Sequence, residues 1–262
     1  MQQNRDKVRP KKALGQHFLH EQHTAQKIVD GLTGYGKYSK VLEIGPGMGV
    51  LTQYLLQNNS YAVEVIEIDT ESVAYLQHHY PQLAGKIHNQ DFLKQSLTQL
   101  MGEEPFAIIG NLPYNISSQI FFKILEYKNQ IPEVVGMIQK EVAVRLAAGP
   151  GSKTYGILSV LLQTYYSIEY LFTVPPGAFT PPPKVQSGVI RLKRNNRIEL
   201  PCNEASFFKL VKQAFNNRRK TLRNALKPLN LPDTMLEMPM LQQRAEQLSV
   251  DDFIFLTQAW TS

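Results

Sequence analysis

Three glycines in five residues, Gly45, Gly47 and Gly49, follow directly on the apolar run Val41–Ile44. The next stretch, Val50–Leu56, has its apolar residues at helical spacing. A strand, a glycine turn and a helix in that order form the opening unit of a parallel α/β sheet. Glycine permits both the tight turn and a ligand's close approach to the backbone. Strand-like runs recur at Tyr61–Asp69, Lys86–His88 and Phe106–Gly110, with helical stretches between them up to about Leu146. This alternation predicts an α/β fold with a doubly wound, mostly parallel sheet. An apolar helix at Ile157–Leu162 and strand-like runs at Tyr165–Val174 and Val185–Leu192 complete it. After Arg197 the character turns helical, with helices expected over Glu204–Phe215, Thr221–Leu226, Gln242–Leu248 and Asp251–Trp260. The expected organisation is a mobile basic tail over residues 1–13, an α/β domain over 14–197 and a helical domain over 198–262.

The glycine turn reads G-P-G-M-G, with Val50 where a dinucleotide fingerprint needs its last glycine, which argues against a pyrophosphate ligand. Glu67 closes the second strand twenty residues after Gly47, where a carboxylate can accept hydrogen bonds from both ribose hydroxyls of an adenosine cofactor. Asp91 follows the third strand and is placed to read an adenine amine. Each acid alone is more often a solvated strand-end residue. At the ends of successive strands they point to one shared cofactor.

Behind the run Phe106–Gly110 stand Asn111, Leu112, Pro113 and Tyr114. This order at a strand's carboxyl end suits methylation of a planar amine. The Asn111 side-chain oxygen and the Leu112 carbonyl can each accept one amine hydrogen, Pro113 stiffens the turn, and Tyr114 can stack on the ring. The plainer alternative is a strand, a turn and a helix. Phe179 precedes Thr180 and three consecutive prolines, which make a rigid extended segment. Its ring is expected opposite Tyr114, with a flipped adenine between them, or else as a plug in a domain seam. The six histidines form no metal-ligand pattern.

Charge is unevenly distributed. Residues 1–20 are net +4, residues 21–183 net −4, and residues 184–197 net +5. From Lys209 to Lys227 seven bases occur with no acid between them. An acidic core flanked by basic segments can grip a polyanion around a site, although any one such run is as often a solvated face.

The segments Lys12–Leu19, Leu42–Gly47, Val65–Asp69, Gly110–Ser117, Gln139–Leu146, Ala178–Val185 and Ala214–Asn224 together resemble the S-adenosylmethionine-dependent rRNA adenine dimethyltransferases, in their bacterial small-subunit form. The resemblance runs from about residue 10 to the C-terminus. It implies a Rossmann-like methyltransferase domain whose last two strands form a hairpin, and dimethylation of two adjacent adenosines in the 3′-terminal hairpin loop of 16S rRNA. It also implies cofactor contacts at His17, Leu19, Gly45, Gly47, Glu67, Asp91 and Asn111. Catalytic positions fall on Asn111, Leu112, Pro113, Tyr114 and Phe179, and RNA contacts on Lys184, Arg218, Arg219, Lys220 and Arg223. Arg219 and Arg223 are expected on one helix face. Many relatives carry Asn where this chain has His17. DNA adenine methyltransferases use a carboxylate in place of Asn111, so this residue alone does not identify the nucleic acid. Two other functions share the core motifs: a large-subunit rRNA methyltransferase of the macrolide-resistance type, and a non-catalytic nucleic-acid-binding factor on the same fold.

The remaining features set bounds. With one cysteine, Cys202, no internal disulfide can form. No apolar leader or membrane-length run is visible, so a monomeric cytoplasmic enzyme that meets its rRNA in the assembling small subunit is expected. Trp260 is expected to anchor the last helix.

Overall fold

The central apolar runs become strands buried on both faces. In the computed structural model, which describes residues 8–261, the strands are β1 (Phe18–Leu19), β2 (Lys40–Ile44), β3 (Ala62–Glu67), β4 (Ile87–Asn89), β5 (Phe106–Asn111), β6 (Glu133–Gln139), β7 (Tyr166–Val174), β8 (Phe179–Thr180) and β9 (Ser187–Arg194). Seven of them make one sheet in the order β4-β3-β2-β5-β6-β9-β7. From β4 to β6 neighbouring strands run parallel, and β9 is antiparallel to β6. Continuous burial along Phe106–Gly110 is what a parallel sheet covered on both faces requires. The strand order reverses between β2 and β5. Ligands bind in open α/β sheets at such a reversal, beyond the carboxyl ends of the strands.

β1 and β8 form a separate two-stranded pair, with Phe18 opposite Thr180 and Leu19 opposite Phe179. That pairing draws Leu19 and Phe179 into the core beside Ile28, Ile109 and Val189. A helix spans Gln22–Val29, capped by the Glu21 carboxylate on the Thr24 amide at 3.1 Å.

The chain divides into two compact units. One runs to Ala143 and resumes over Ile168–Arg194; the other comprises Val144–Ser167 and the segment from Asn195 onward. A single cut near Arg197 therefore marks only the last crossing between them. The helix Ile157–Tyr165 is the reason. Its residues Val160, Leu161, Leu162, Thr164 and Tyr165 are all buried, so it needs apolar partners on several sides. It finds them in the helices Glu204–Asn216 and Val250–Thr261. Tyr155, Phe215 and Phe253 form an aromatic chain there, with centroids 6.3 and 5.9 Å apart. Trp260 does anchor the last helix, its indole N–H donating to the Leu229 carbonyl at 3.2 Å. Two expected helices are shorter. The region 242–248 forms a 3₁₀ turn at Ala245–Gln247, and 221–226 contracts to Leu222–Ala225.

The basic tail is also different. Residues 1–7 lie outside the described residues, but the rest of the segment is tied down. Val8 is buried, and the Lys11 ammonium pairs with Asp69 and, at 3.1 Å, with Glu71. For Asp69, burial pushes the carboxyl up, but bonds from Lys11, Gln16 and Ser72 outweigh it and hold it below the usual range.

Candidate active site

A cavity of about 290 Å³ opens at the carboxyl ends of β2, β3, β4 and β5. It collects residues from five distant segments: His17, Gly45 with Gly47, Glu67, Asp91, and the turn Asn111–Tyr114. The glycine turn after β2 leaves one wall as bare backbone. Gly45 has φ +65°, and a Cβ there would meet nothing within 4 Å, so the space beside it is open. At Gly47 a Cβ would come within 2.9 Å of the Phe18 ring. A glycine is therefore required for the backbone conformation at one position and for the close approach at the other.

Glu67 holds this turn in place. One carboxylate oxygen accepts the Gly47 amide at 3.1 Å and the other accepts the Asp69 amide at 2.9 Å. Burial pushes the Glu67 carboxyl up, and these backbone bonds pull it back. A carboxylate offers about four acceptor positions, and the backbone does not take them all. Asp91 also lines the cavity and caps the short turn Phe92–Lys94 by accepting the Leu93 amide at 3.0 Å.

The turn after β5 is built from below. The Leu112 side chain is buried against the glycines of two strands. A Cβ at Gly110 would lie 3.0 Å from Leu112 Cδ2, and one at Gly136 would lie 3.2 Å from its Cδ1. Gly110 also passes the Ile44 carbonyl oxygen so closely that a Cβ would stand 2.6 Å from it. The Leu112 amide continues the ladder to the Met137 carbonyl at 3.0 Å, while its own carbonyl accepts no hydrogen bond among the described residues. The Asn111 side chain is fixed by its nitrogen, which donates to the His17 main-chain carbonyl at 3.0 Å. Its Oδ1 therefore remains an acceptor. Two acceptors, one side-chain and one main-chain, thus sit on adjacent residues of one rigid turn.

Tyr114 forms the pocket's aromatic wall. Its hydroxyl shares a hydrogen bond with the buried Ser187 hydroxyl at 2.5 Å, and its ring stacks on His17. Burial pushes the Tyr114 hydroxyl up, and the Ser187 bond partly offsets this. Phe179 is not brought to this pocket: it is 2% exposed, lies in the core beside Leu19, and lines no part of the cavity. The β1–β8 pairing, made across 160 residues of sequence, puts it there. Leu19 borders the glycine turn with Phe18, Gly45, Gly47 and Asn111.

Some lining residues carry no motif signal. Ile68 is half-exposed directly after Glu67 and, with Phe92 and Leu93, gives the cavity an apolar side. An apolar residue left open at a strand end was the available sign. Glu43 is fully buried beneath the glycine turn, with its carboxylate bonded to the Thr52 hydroxyl at 2.6 Å. Burial pushes its carboxyl up to about 8, so it is mostly protonated at neutral pH.

The basic residues separate into two kinds. Arg218, Arg219 and Lys220 form a turn between the helices Glu204–Asn216 and Leu222–Ala225, so Arg219 and Arg223 do not share a helix face. Successive residues Asn216 and Asn217, neither strongly helix-favouring, end the first helix there. Arg218 donates to the carbonyls of Lys153 and Tyr155, the latter at 3.1 Å, and Arg223 donates to the Leu236 carbonyl at 3.2 Å. Arg219, Lys220 and Lys184 are exposed, and their side chains make no hydrogen bond or ion pair among the described residues. Among those residues there is also no metal-binding cluster, and no helix is long and apolar enough to cross a membrane.

Comparison with known proteins is consistent along the chain. The family model for ribosomal RNA adenine dimethylases matches residues 7–259. A ribosomal RNA small subunit methyltransferase A from Cytophaga hutchinsonii is 63% identical over 252 residues, covering 96% of this chain and 97% of the relative. Its counterpart from Flavobacterium johnsoniae is 57% identical, covering 97% of this chain and 96% of the relative. Among solved structures, a dimethyladenosine transferase from Plasmodium falciparum superposes with a TM-score of 0.77 at 25% identity, covering 92% of this chain and 96% of that one. The 23S rRNA methyltransferase ErmE gives 0.66 at 26% identity, covering 94% of this chain and all of its own.

Proposed function

The chain belongs to the ribosomal RNA adenine dimethylase family, and from that premise we propose that it dimethylates two adjacent adenosines in the 3′-terminal hairpin loop of 16S rRNA, acting as a cytoplasmic monomer on the assembling small subunit. It is an S-adenosylmethionine-dependent rRNA methyltransferase. The observation that carries the reading is the Asn111 amide, pinned by its nitrogen so that its oxygen is left as an acceptor beside the Leu112 carbonyl. The large-subunit reading is not favoured, because relatives at 57% and 63% identity carry the small-subunit name while the large-subunit enzyme ErmE stands at 26%.

The cavity fits the cofactor. The open space at Gly45, the Glu67 carboxylate with acceptor positions to spare and the Asp91 carboxylate match the backbone approach, ribose and adenine amine of an adenosine. Gly47 and His17 line the same cavity, and Leu19 borders the glycine turn. When bound, S-adenosylmethionine supplies an electrophilic methyl group on a sulfonium that leaves as a neutral thioether. The protein's own work is done on the adenine. Its amine is a weak nucleophile because the nitrogen lone pair is delocalised into the ring. Asn111 Oδ1 and the Leu112 carbonyl accept its two hydrogens, which favours a pyramidal nitrogen and stabilises the positive charge that develops there. Pro113 limits movement of the turn, and Tyr114 supplies the face on which the base stacks. Phe179 supports this arrangement from the core. Alignment of the reacting atoms can contribute on the order of several kcal/mol, and no strong base is needed because the proton can leave to water.

The test is to supply labelled cofactor to small subunits that lack the modification and then map the labelled bases. Label confined to two adjacent adenosines of the terminal loop is expected, and label on large-subunit rRNA instead would overturn the proposal.

Affinity for the folded RNA is assigned to the exposed cations Arg219, Lys220 and Lys184, with Arg218 and Arg223 holding the backbone beside them. Arg219→Ala with Lys220→Ala is expected to weaken binding to small subunits. It should also shallow the slope of log affinity against log salt by about one to two units. The melting temperature and the methylated bases should not change. An unchanged slope would remove these residues from the RNA surface.

A further inference from the structure

The His17 side chain joins the Asn111–Tyr114 turn to the proline segment. Its ring stacks on Tyr114, with centroids 5.7 Å apart and planes inclined by 24°. Its Nδ1 lies 2.8 Å from the Pro181 carbonyl oxygen. A carbonyl only accepts, so Nδ1 carries a proton. The main-chain carbonyl of the same residue accepts the Asn111 amide. Tyr114 is thereby held in two directions, at its hydroxyl by buried Ser187 and on its face by His17.

These contacts engage most of the residue. One ring nitrogen is bonded to Pro181, the ring lies against Tyr114, and the main-chain carbonyl is bonded to Asn111, which leaves Nε2 and the main-chain N–H. Any cofactor contact at this position is assigned here to the main-chain N–H, which a substituted side chain would leave in place. Imidazole combines two properties that asparagine and phenylalanine separate. Asparagine could donate to Pro181 but has no aromatic face, and phenylalanine has the face but no donor.

We propose that the His17 side chain is a positioning residue for the target adenine: it sets the plane of the Tyr114 ring and ties that plane to the Thr180–Pro183 segment. The inference rests on the function proposed above, which supplies the base that stacks on Tyr114.

The test compares His17→Ala, His17→Asn and His17→Phe in the full-length protein. Cofactor affinity is measured by calorimetry, which also reports whether each variant is folded. Methyl transfer to undermethylated small subunits is followed under single-turnover conditions at saturating cofactor. Cofactor affinity should stay within about threefold of the parent. The transfer rate should fall about tenfold in His17→Ala, with His17→Asn and His17→Phe each recovering part of it. In a Tyr114→Ala background, His17→Ala should have almost no further effect, since the ring it positions is gone. A tenfold or greater loss of cofactor affinity with normal transfer at saturation would make His17 a cofactor residue and overturn the inference. Fully additive effects of His17→Ala and Tyr114→Ala would also overturn it. Failure of the underlying function is separable, because it would show as unmodified terminal-loop adenosines with the parent protein itself.

Discussion

Asn111→Ala should lower single-turnover methyl transfer by about a hundredfold or more while leaving affinity for cofactor and small subunits within a few-fold. The expectation follows from what the amide does in the folded protein. Its nitrogen is bonded to the His17 carbonyl, so its oxygen is fixed before any substrate arrives. An acceptor that need not reorganise acts mainly where charge develops, on the amine nitrogen during transfer, and contributes little to ground-state binding. Asn111→Asp sharpens the test. It restores an acceptor but turns a carboxylate oxygen towards the His17 carbonyl, where two acceptors repel, so it should rescue little. Parent-like transfer by a folded Asn111→Ala protein would disprove the proposed polarisation of the amine.

Glu67→Ala should weaken cofactor binding by about 1–3 kcal/mol, the range for losing hydrogen bonds to a charged group. Two losses act together. The ribose loses its acceptor, and the Gly47 and Asp69 amides lose the carboxylate that holds the glycine turn in place. Glu67→Gln should not recover the affinity. One end of its amide is a donor, and both carboxylate oxygens of the native residue face backbone N–H groups. Calorimetry on both variants decides the matter, and unchanged affinity in a folded protein would take Glu67 out of the site.

Much of this architecture was legible because it is written locally. Strands β2, β3 and β5 are short apolar runs ended by glycine or a polar residue, and the residues at those ends line one cavity. A parallel sheet places all its strand ends on one side, so reading the strands already grouped Gly45, Glu67, Asp91 and Asn111. Features set by distant partners were not legible. The place of Phe179 depends on pairing with Leu19, and Arg218 is engaged by carbonyls more than sixty residues earlier. Lys11 looked like part of a solvated run because its partners, Asp69 and Glu71, sit at the start of a helix far along the chain. The grouping of Ile157–Tyr165 with the C-terminal helices likewise follows from burial on several sides, which an apolar run cannot distinguish from burial against a sheet.

The contact of Leu112 with Gly110 and Gly136 has an evolutionary consequence. The three positions share one fixed volume, in which two absent side chains make room for one large one. A methyl group added at position 136 would stand 3.2 Å from Leu112 Cδ1, so the Leu112 side chain must shift by a few tenths of an ångström or be trimmed. At position 110 even that exchange fails, because the Ile44 carbonyl oxygen stands in the way. Drift at these sites should therefore be coupled rather than independent. The position of the Leu112 carbonyl is inherited from the spacing of β5 and β6, to which its side chain and amide are tied.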